Sequence, residues 1–412
     1  MKPHRILPFL VSLALVAVCA RFGIGWTFYA TSLVSPFFAI ALVSVCIFHF
    51  SVRRELYDLL GVLGTAALLA YVDFGFLHYP VRNVAWLSFF GLGSFLTLAL
   101  RLTWEPQANR KLLVLSLIPS LLFLSSDWVA SDLLAYTEKL HPRVFDLYLY
   151  TFDASLRVQL PFVIGQWFRN LPWLRSISSF FYIGLPVVIA IVYTGLLLRN
   201  TSRSLSAMTA FLITGPVGII FYNLLPAMGP IYLFQDVFPW QHFSLAQVQR
   251  LLVEPIPLPG PRNAIPSLHM AWVLLAWWFA RGLSSWKRVV AALFVLFTIL
   301  STMGLGEHYF VDLVAAVPFS LFIKSLCSFE LPFTNRVRLR GVFAGLSLLL
   351  AWFALLRFAP KAFLFSAFPP WGLVAITVAI CLYLENTIGR EIPAKVREIV
   401  HGDTVVAANL AS

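Results

Sequence analysis

Apolar runs recur along almost the whole chain, separated by short polar stretches in which basic residues cluster. A soluble domain is about 45–50% apolar and roughly 25% charged. Here 60% of 412 residues are hydrophobic and only 12% are charged. Water is the wrong solvent for such a chain and the bilayer is the natural one. In hydrocarbon every backbone polar group must be satisfied internally, and most of these runs are longer than a barrel strand, so helices are expected. The expected fold class is therefore all-α: a polytopic transmembrane helical bundle of about twelve spans.

The runs fall at Ile6–Ala20, Ser32–Phe50, Leu56–Leu77, Val84–Leu100, Leu112–Ser126, Ile177–Leu198 and Ala207–Leu225. Beyond these come Leu268–Ala280, Val289–Thr302, His308–Ile323, Gly341–Phe358 and Trp371–Leu384. The first carries Lys2 and Arg5 before it and reads as a retained span or as a cleaved signal sequence. Cys19, Cys46, Cys327 and Cys381 all lie within apolar runs without metal-ligand spacing.

The net charge of +12 would fit nucleic acid if it were massed on one stretch. Instead it is divided among the loops, which excludes nucleic acid as the expected partner. With a cytoplasmic N-terminus, alternate loops carry Arg53/Arg54, Arg101/Arg110/Lys111, Arg199/Arg203, Arg281/Lys287/Arg288, Lys324/Arg336/Arg338/Arg340 and Arg390/Lys395/Arg397. That alternation satisfies the positive-inside rule and puts both termini on the cytoplasmic side. The expected tail, Glu385–Ser412, is short, polar and cytoplasmic.

Two segments on the opposite face are long. Residues 127–176 hold Asp146, Asp153, Arg157 and Arg169 among aromatics and read as interfacial amphipathic helix. Residues 226–267 include the proline-dense stretch Glu254–Pro266, which should be extended and stiff.

The chemistry gathers after that stretch. His269 stands in Pro266-Ser267-Leu268-His269-Met270, and His308 in a Gly304-x-x-x-His308-Tyr309-x-x-Asp312 pattern. Between the histidines lie one inward span, the basic turn Arg281–Arg288 and one outward span, so the hairpin returns both to the same membrane face. His308 and Asp312 are four apart and share a helix face. A carboxylate there fixes the imidazole tautomer and leaves the other nitrogen free as a nucleophile. His269 suits the general acid that protonates a leaving oxygen. Pro266 disfavours helix before Ser267, so a helix N-terminus, an anion site, is expected at Ser267. Ser267 can donate to a phosphate oxygen, and Arg262 can grip the phosphate. Glu307, His308 and His269 give no convincing third zinc ligand, so neither metal nor cofactor is expected.

These motifs resemble the type 2 phosphatidic acid phosphatase superfamily, and the form P-S-L-H-M followed by G-x-x-x-H-Y-x-x-D is most similar to its inositol phosphorylceramide synthase branch. The resemblance covers roughly Phe145–Ile323. It implies a six-helix core with a catalytic region at 127–327, while the flanking helices at 1–126 and 328–412 lie outside the resemblance and are read from hydropathy alone. It implies His308 as nucleophile through a phosphohistidine, Asp312 as its orienting partner, His269 as acid and Ser267 as phosphate donor. It also implies a lipid phosphate or phospholipid substrate, water or a hydroxyl lipid as acceptor, and an active site at the periplasmic, lumenal or extracellular face. Phe221–Pro230 occupies the place of the family's first motif without its lysine and Arg-Pro, and Thr302 stands where many members have arginine. Arg262, with Tyr222 and Asn223 behind it, is the expected replacement for the missing phosphate grip.

Two rival classes fit the hydropathy. A transporter would place charges or broken helices at mid-membrane depth in paired halves, whereas here the ionisable groups gather at one face. A polyprenyl-phosphate-dependent glycosyltransferase would need acidic residues in the first outer loop, and Arg21–Thr31 has none.

Overall fold

The computed structural model describes residues 36–77 and 86–410, and the chain is helical almost throughout them. The expected first span Ile6–Ala20, the signal-sequence reading, Cys19 and the loop Arg21–Thr31 lie outside the described residues. The helices in chain order are α1 (Pro36–Val52), α2 (Leu56–Val72), α3 (Ser88–Trp104), α4 (Gln107–Leu140), α5 (Asp146–Ser155), α6 (Leu160–Asn170), α7 (Pro172–Ile183) and α8 (Leu185–Leu197). They continue with α9 (Thr201–Leu224), the short α10 (Pro230–Phe234) and α11 (Leu245–Arg250), then α12 (Leu268–Phe279), α13 (Ser285–Gly304), α14 (Phe310–Leu326), α15 (Arg336–Phe358) and α16 (Phe368–Leu410). The one sheet among the described residues is a two-residue antiparallel pair, Arg143 opposite Pro257 and Val144 opposite Ile256.

Five helical segments in the described residues are long and apolar enough to cross a membrane: Leu56–Phe76, Thr201–Leu224, Ser285–Gly304, Arg336–Phe358 and Phe368–Ile392. Helix α12 has only 12 residues, about 18 Å at 1.5 Å per residue, and cannot cross alone. Helix α14 is buried almost from end to end and carries Pro318 and Lys324, which protein neighbours tolerate and lipid would not.

The chain divides into two compact units, residues 1–132 with 183–198, and residues 133–182 with 199–412. In the first, a buried ion cluster ties α1, α2 and α3 together at one end. Arg101 of α3 bonds Asp58 of α2, Glu105 at 2.8 Å and Glu55 at 3.1 Å, and His49 of α1 lies 3.6 Å from Asp58. An arginine fork is well matched to several carboxylates at once.

In the second unit α12, α15 and α16 pack around α14. Gly345 of α15 sits against the α14 backbone at Pro318 and Phe322, and Gly341 against Ser325, so α15 approaches closely where it has no side chain. The expected polar tail is instead a continuation of the last helix to Leu410. Glu385 is 1% exposed there, paired with buried Lys324 of α14 and, at 2.6 Å, with Arg281 of the α12–α13 turn. Its polarity marked an internal partner rather than a solvated end. The same turn is fastened from α9 and the residues before it, where Arg203 donates to the Arg281 carbonyl and Arg199 to that of Gly282, both at 2.6 Å.

Removing one member of a buried pair strands the other charge, at about 3–5 kcal/mol. Glu385→Ala should therefore lower the thermal unfolding midpoint of detergent-purified protein clearly, and Glu385→Asp much less. Equal midpoints for Glu385→Ala and the unsubstituted protein would show that the pair does not hold α14 to α16.

Candidate active site at one end of a helical hairpin

The start of α12, the end of α13 and the start of α14 meet at one end of the second unit. Their junction is held by the backbone: the Ser267 N–H donates to the Asp312 carbonyl at 3.1 Å, and the Glu307 and His308 N–H groups both donate to the Thr302 carbonyl at 3.1 Å. The reversal between α13 and α14 needs Gly306, at φ +78°, where a Cβ would also meet Phe238 and Ile231 within 3 Å.

His308, 3% exposed, is thereby fixed between two groups. Its Nε2 lies 3.2 Å from Ser267 Oγ, and its Nδ1 lies 3.4 Å from Asp312 Oδ2, an electrostatic contact rather than an aligned hydrogen bond. Catalytic contacts are often this loose before substrate arrives. The carboxylate beside Nδ1 favours the proton on that nitrogen, so Ser267 donates to Nε2, whose lone pair faces the serine. His269, in the first turn of α12, stacks on Tyr182 with ring centroids 4.1 Å apart and is within electrostatic range of His308.

The two helix N-termini at this junction differ. At α14, Asp153 of α5 accepts the Phe310 and Val311 N–H groups at 2.7 and 3.1 Å, and Asp312 accepts that of Tyr309 at 2.8 Å. Carboxylates thus satisfy these first donors and complement the dipole. At α12 the cap is the neutral Ser267, with a long 3.4 Å bond to the Met270 N–H. The anion-attracting end beside both histidines is therefore that of α12.

A second carboxylate of α5 holds the approach. Asp146, fully buried, accepts the Met228 and Gly229 N–H groups and the Tyr309 hydroxyl at 2.9–3.1 Å. Burial pushes its carboxyl up to about 7 against the pull of those three bonds, and burial likewise raises that of Asp153. Burial raises the Glu307 carboxyl too, opposed by His308 and by a hydrogen bond from Tyr232.

Of the expected phosphate-binding residues, the structure brings Ser267 to His308 and puts the buried Tyr222 hydroxyl against the Leu268 N–H. Arg262 and Asn223 belong to a different network around His141. Arg262, 1% exposed, donates to the carbonyls of His141, at 2.9 Å, and Gly260, while Asn223 bonds the His141 ring at 2.9 Å. Sequence reasoning missed Asp146, Asp153 and Tyr182 as parts of the site. The available signal was two acids seven apart, and so on one helix face, in an otherwise apolar aromatic segment. Among the described residues no group of three His, Cys, Asp or Glu side chains is arranged to hold a metal ion.

Residues 147–326 match the PAP2 superfamily. The matched segment begins in α5, ends at the last residue of α14, and contains Asp153, Ser267, His269, Glu307, His308 and Asp312. No curated protein and no solved structure matches the chain. A segment that matches the PAP2 superfamily, set among membrane-length helices, points to lipid-phosphatase-type chemistry.

Asp153→Ala should leave two N–H groups at the α14 start without partners, at about 1–3 kcal/mol. Hydrogen exchange at the Phe310 and Val311 amides should then accelerate by tenfold or more. Unchanged protection there would show that α5 does not clamp the His308 loop.

Proposed function

We propose that this protein is a membrane-embedded lipid phosphatase or phosphotransferase that works through a phosphohistidine on His308. The observation that carries the reading is the Ser267–His308 contact at the start of α12, with Asp312 on the far side of the ring. On this reading a nucleophilic nitrogen, its orienting carboxylate and an anion-binding helix end lie around one point.

In the first step His308 Nε2 attacks phosphorus, the bond from phosphorus to the leaving oxygen breaks, and His269 supplies that oxygen with a proton. In the second, water or a hydroxyl lipid attacks the phosphohistidine, its proton passes to His269, and the bond from phosphorus to Nε2 breaks. Asp312 holds the Nδ1 proton and offsets the positive charge on the ring. Ser267, the α12 N–H groups and the Tyr222 hydroxyl stabilise the developing charge on the phosphoryl oxygens, without metal or cofactor. Arg262 and Asn223 serve this pocket from behind, by fixing His141 and the loop that leads to Pro266.

The transferase form, moving a phosphorylated head group of the inositol phosphate kind between lipids as in the inositol phosphorylceramide synthase branch, is favoured by Thr302 standing where a phosphatase arginine is common. The catalytic region is 127–327, within a chain of about twelve crossings. The loop charges set both termini in the cytoplasm and the site at the opposite face.

His308→Ala should abolish product release and label retention from a phosphorus-labelled lipid, while the thermal midpoint stays unchanged. Ser267→Ala should lower kcat by about 10²-fold, the scale of one lost oxyanion donor. Near-normal turnover by His308→Ala, with either phosphatidic acid or a head-group donor plus a hydroxyl lipid, would remove the mechanism.

A further inference from the structure

The far end of α12 from His269 holds a cavity that the proposed chemistry does not use. Arg203 of α9, Trp278 of α12, Arg281 of the α12–α13 turn, Lys324 of α14 and Gly389 of α16 line a space of about 10 Å³. Phe279 and Ile392 complete its wall, so every polar side chain there is a hydrogen-bond donor and none is an acceptor. Trp278 is 1% exposed, and its indole N–H has no hydrogen-bond partner among the described residues. A buried donor in that state calls for an explanation. The Lys324 ammonium lies 5.8 Å from the centre of the Trp278 ring. Arg281 is pressed onto α16 at Gly389, where a Cβ would strike its guanidinium.

The charges do not cancel. Lys324 and Arg281 share one carboxylate, Glu385. The Arg203 side chain donates to the Arg281 carbonyl at 2.6 Å and belongs to no ion pair among the described residues. The next acid within electrostatic range of Arg203 is Glu330, which accepts from the Ser206 hydroxyl at 2.9 Å. Three cations thus face two carboxylates, and one positive charge is left over in a site largely withdrawn from water.

We propose that this cavity binds a monatomic anion, chloride, which completes the joint between α9, the turn, α14 and α16. A space of about 10–15 Å³ takes one water-sized group, so a four-oxygen phosphate does not fit whole. A water would bring two protons of its own and meet no side-chain acceptor for them. Chloride accepts from every donor in the wall and cancels the surplus charge. The site lies at the other end of the hairpin from His308 and is independent of the phosphoryl-transfer reading.

The test uses full-length protein purified in detergent and exchanged into gluconate. Chloride is then added at constant ionic strength, so that general screening does not change. A ligand of the folded state alone raises the thermal midpoint with its concentration. Chloride should do so in the unsubstituted protein. Trp278→Phe keeps an aromatic ring, removes the donor, and should need about tenfold more chloride for the same rise. Arg203→Gln keeps a donor for the Arg281 carbonyl, removes the surplus charge, and should lose most of the response. Ser267→Ala, at the opposite end, should respond as the unsubstituted protein does.

No rise with chloride overturns the proposal. So does a rise that survives both Trp278→Phe and Arg203→Gln, or one that Ser267→Ala removes. A rise with inorganic phosphate or short-chain phosphatidylglycerol but not with chloride overturns it too, by assigning the charge to a phosphate, free or lipid-borne. Should the two variants fail to fold, anomalous scattering from bromide in crystals of the unsubstituted protein decides. Bromide among Arg203, Trp278, Arg281 and Lys324 supports the site, and water alone or an empty cavity overturns it.

Discussion

The site depends on which helix ends are already satisfied. Two helices begin within a few residues of His308, and each begins with unpaired N–H groups and a positive dipole end. At α14 those donors are taken by Asp153 and Asp312, so that end is closed electrostatically and its direction is fixed. At α12 neutral hydroxyls stand in the same place, Ser267 at the Met270 N–H and Tyr222 at that of Leu268. Of the two ends, that of α12, where Ser267 meets His308, is the one not capped by a carboxylate.

The α12–α13 hairpin joins two polar ends of opposite purpose. Its turn is locked by Arg199, Arg203 and the Arg281–Glu385–Lys324 cluster, which ties α9, α14 and α16 together with bonds to charged groups and carbonyls. Its other end carries few strong ties of its own and relies on carboxylates from α5. Helix α14 runs between the two, from the residues after His308 to Lys324 at the locked end, buried almost throughout. Close approach at Gly341 and Gly345 keeps α15 from tilting away.

Much of this was legible in the residues. The apolar runs found the long helices α9, α12, α13, α14 and α15 to within a few residues, because a long run in lipid has only one way to satisfy its backbone, but not the short α10 and α11 or the continuation of α16 to Leu410. The His308–Asp312 spacing and the proline before Ser267 gave the local geometry, because both are rules of neighbours along one helix. What escaped was everything that pairs residues far apart in sequence. Asp146 and Asp153 looked like the polar face of an interfacial helix, and only tertiary packing turns them inward to cap α14. Arg262 looked like a loop cation reaching for phosphate, yet its guanidinium lies among the carbonyls of its own loop and of His141. Glu385 read as the start of a tail because its partner Lys324 is 61 residues away.

On the proposed mechanism, the Ser267–His308 contact has a further consequence. The hydroxyl that is to hold a phosphoryl oxygen sits against the very lone pair that is to attack phosphorus. At rest, nucleophile and donor quench one another, and neither is a buried polar group lacking a partner. An arriving phosphate must take the serine for itself, and in doing so it uncovers the nitrogen. Recruitment of the anion and exposure of the nucleophile are thus one exchange of hydrogen bonds, so the imidazole is reactive only when something is there to receive it.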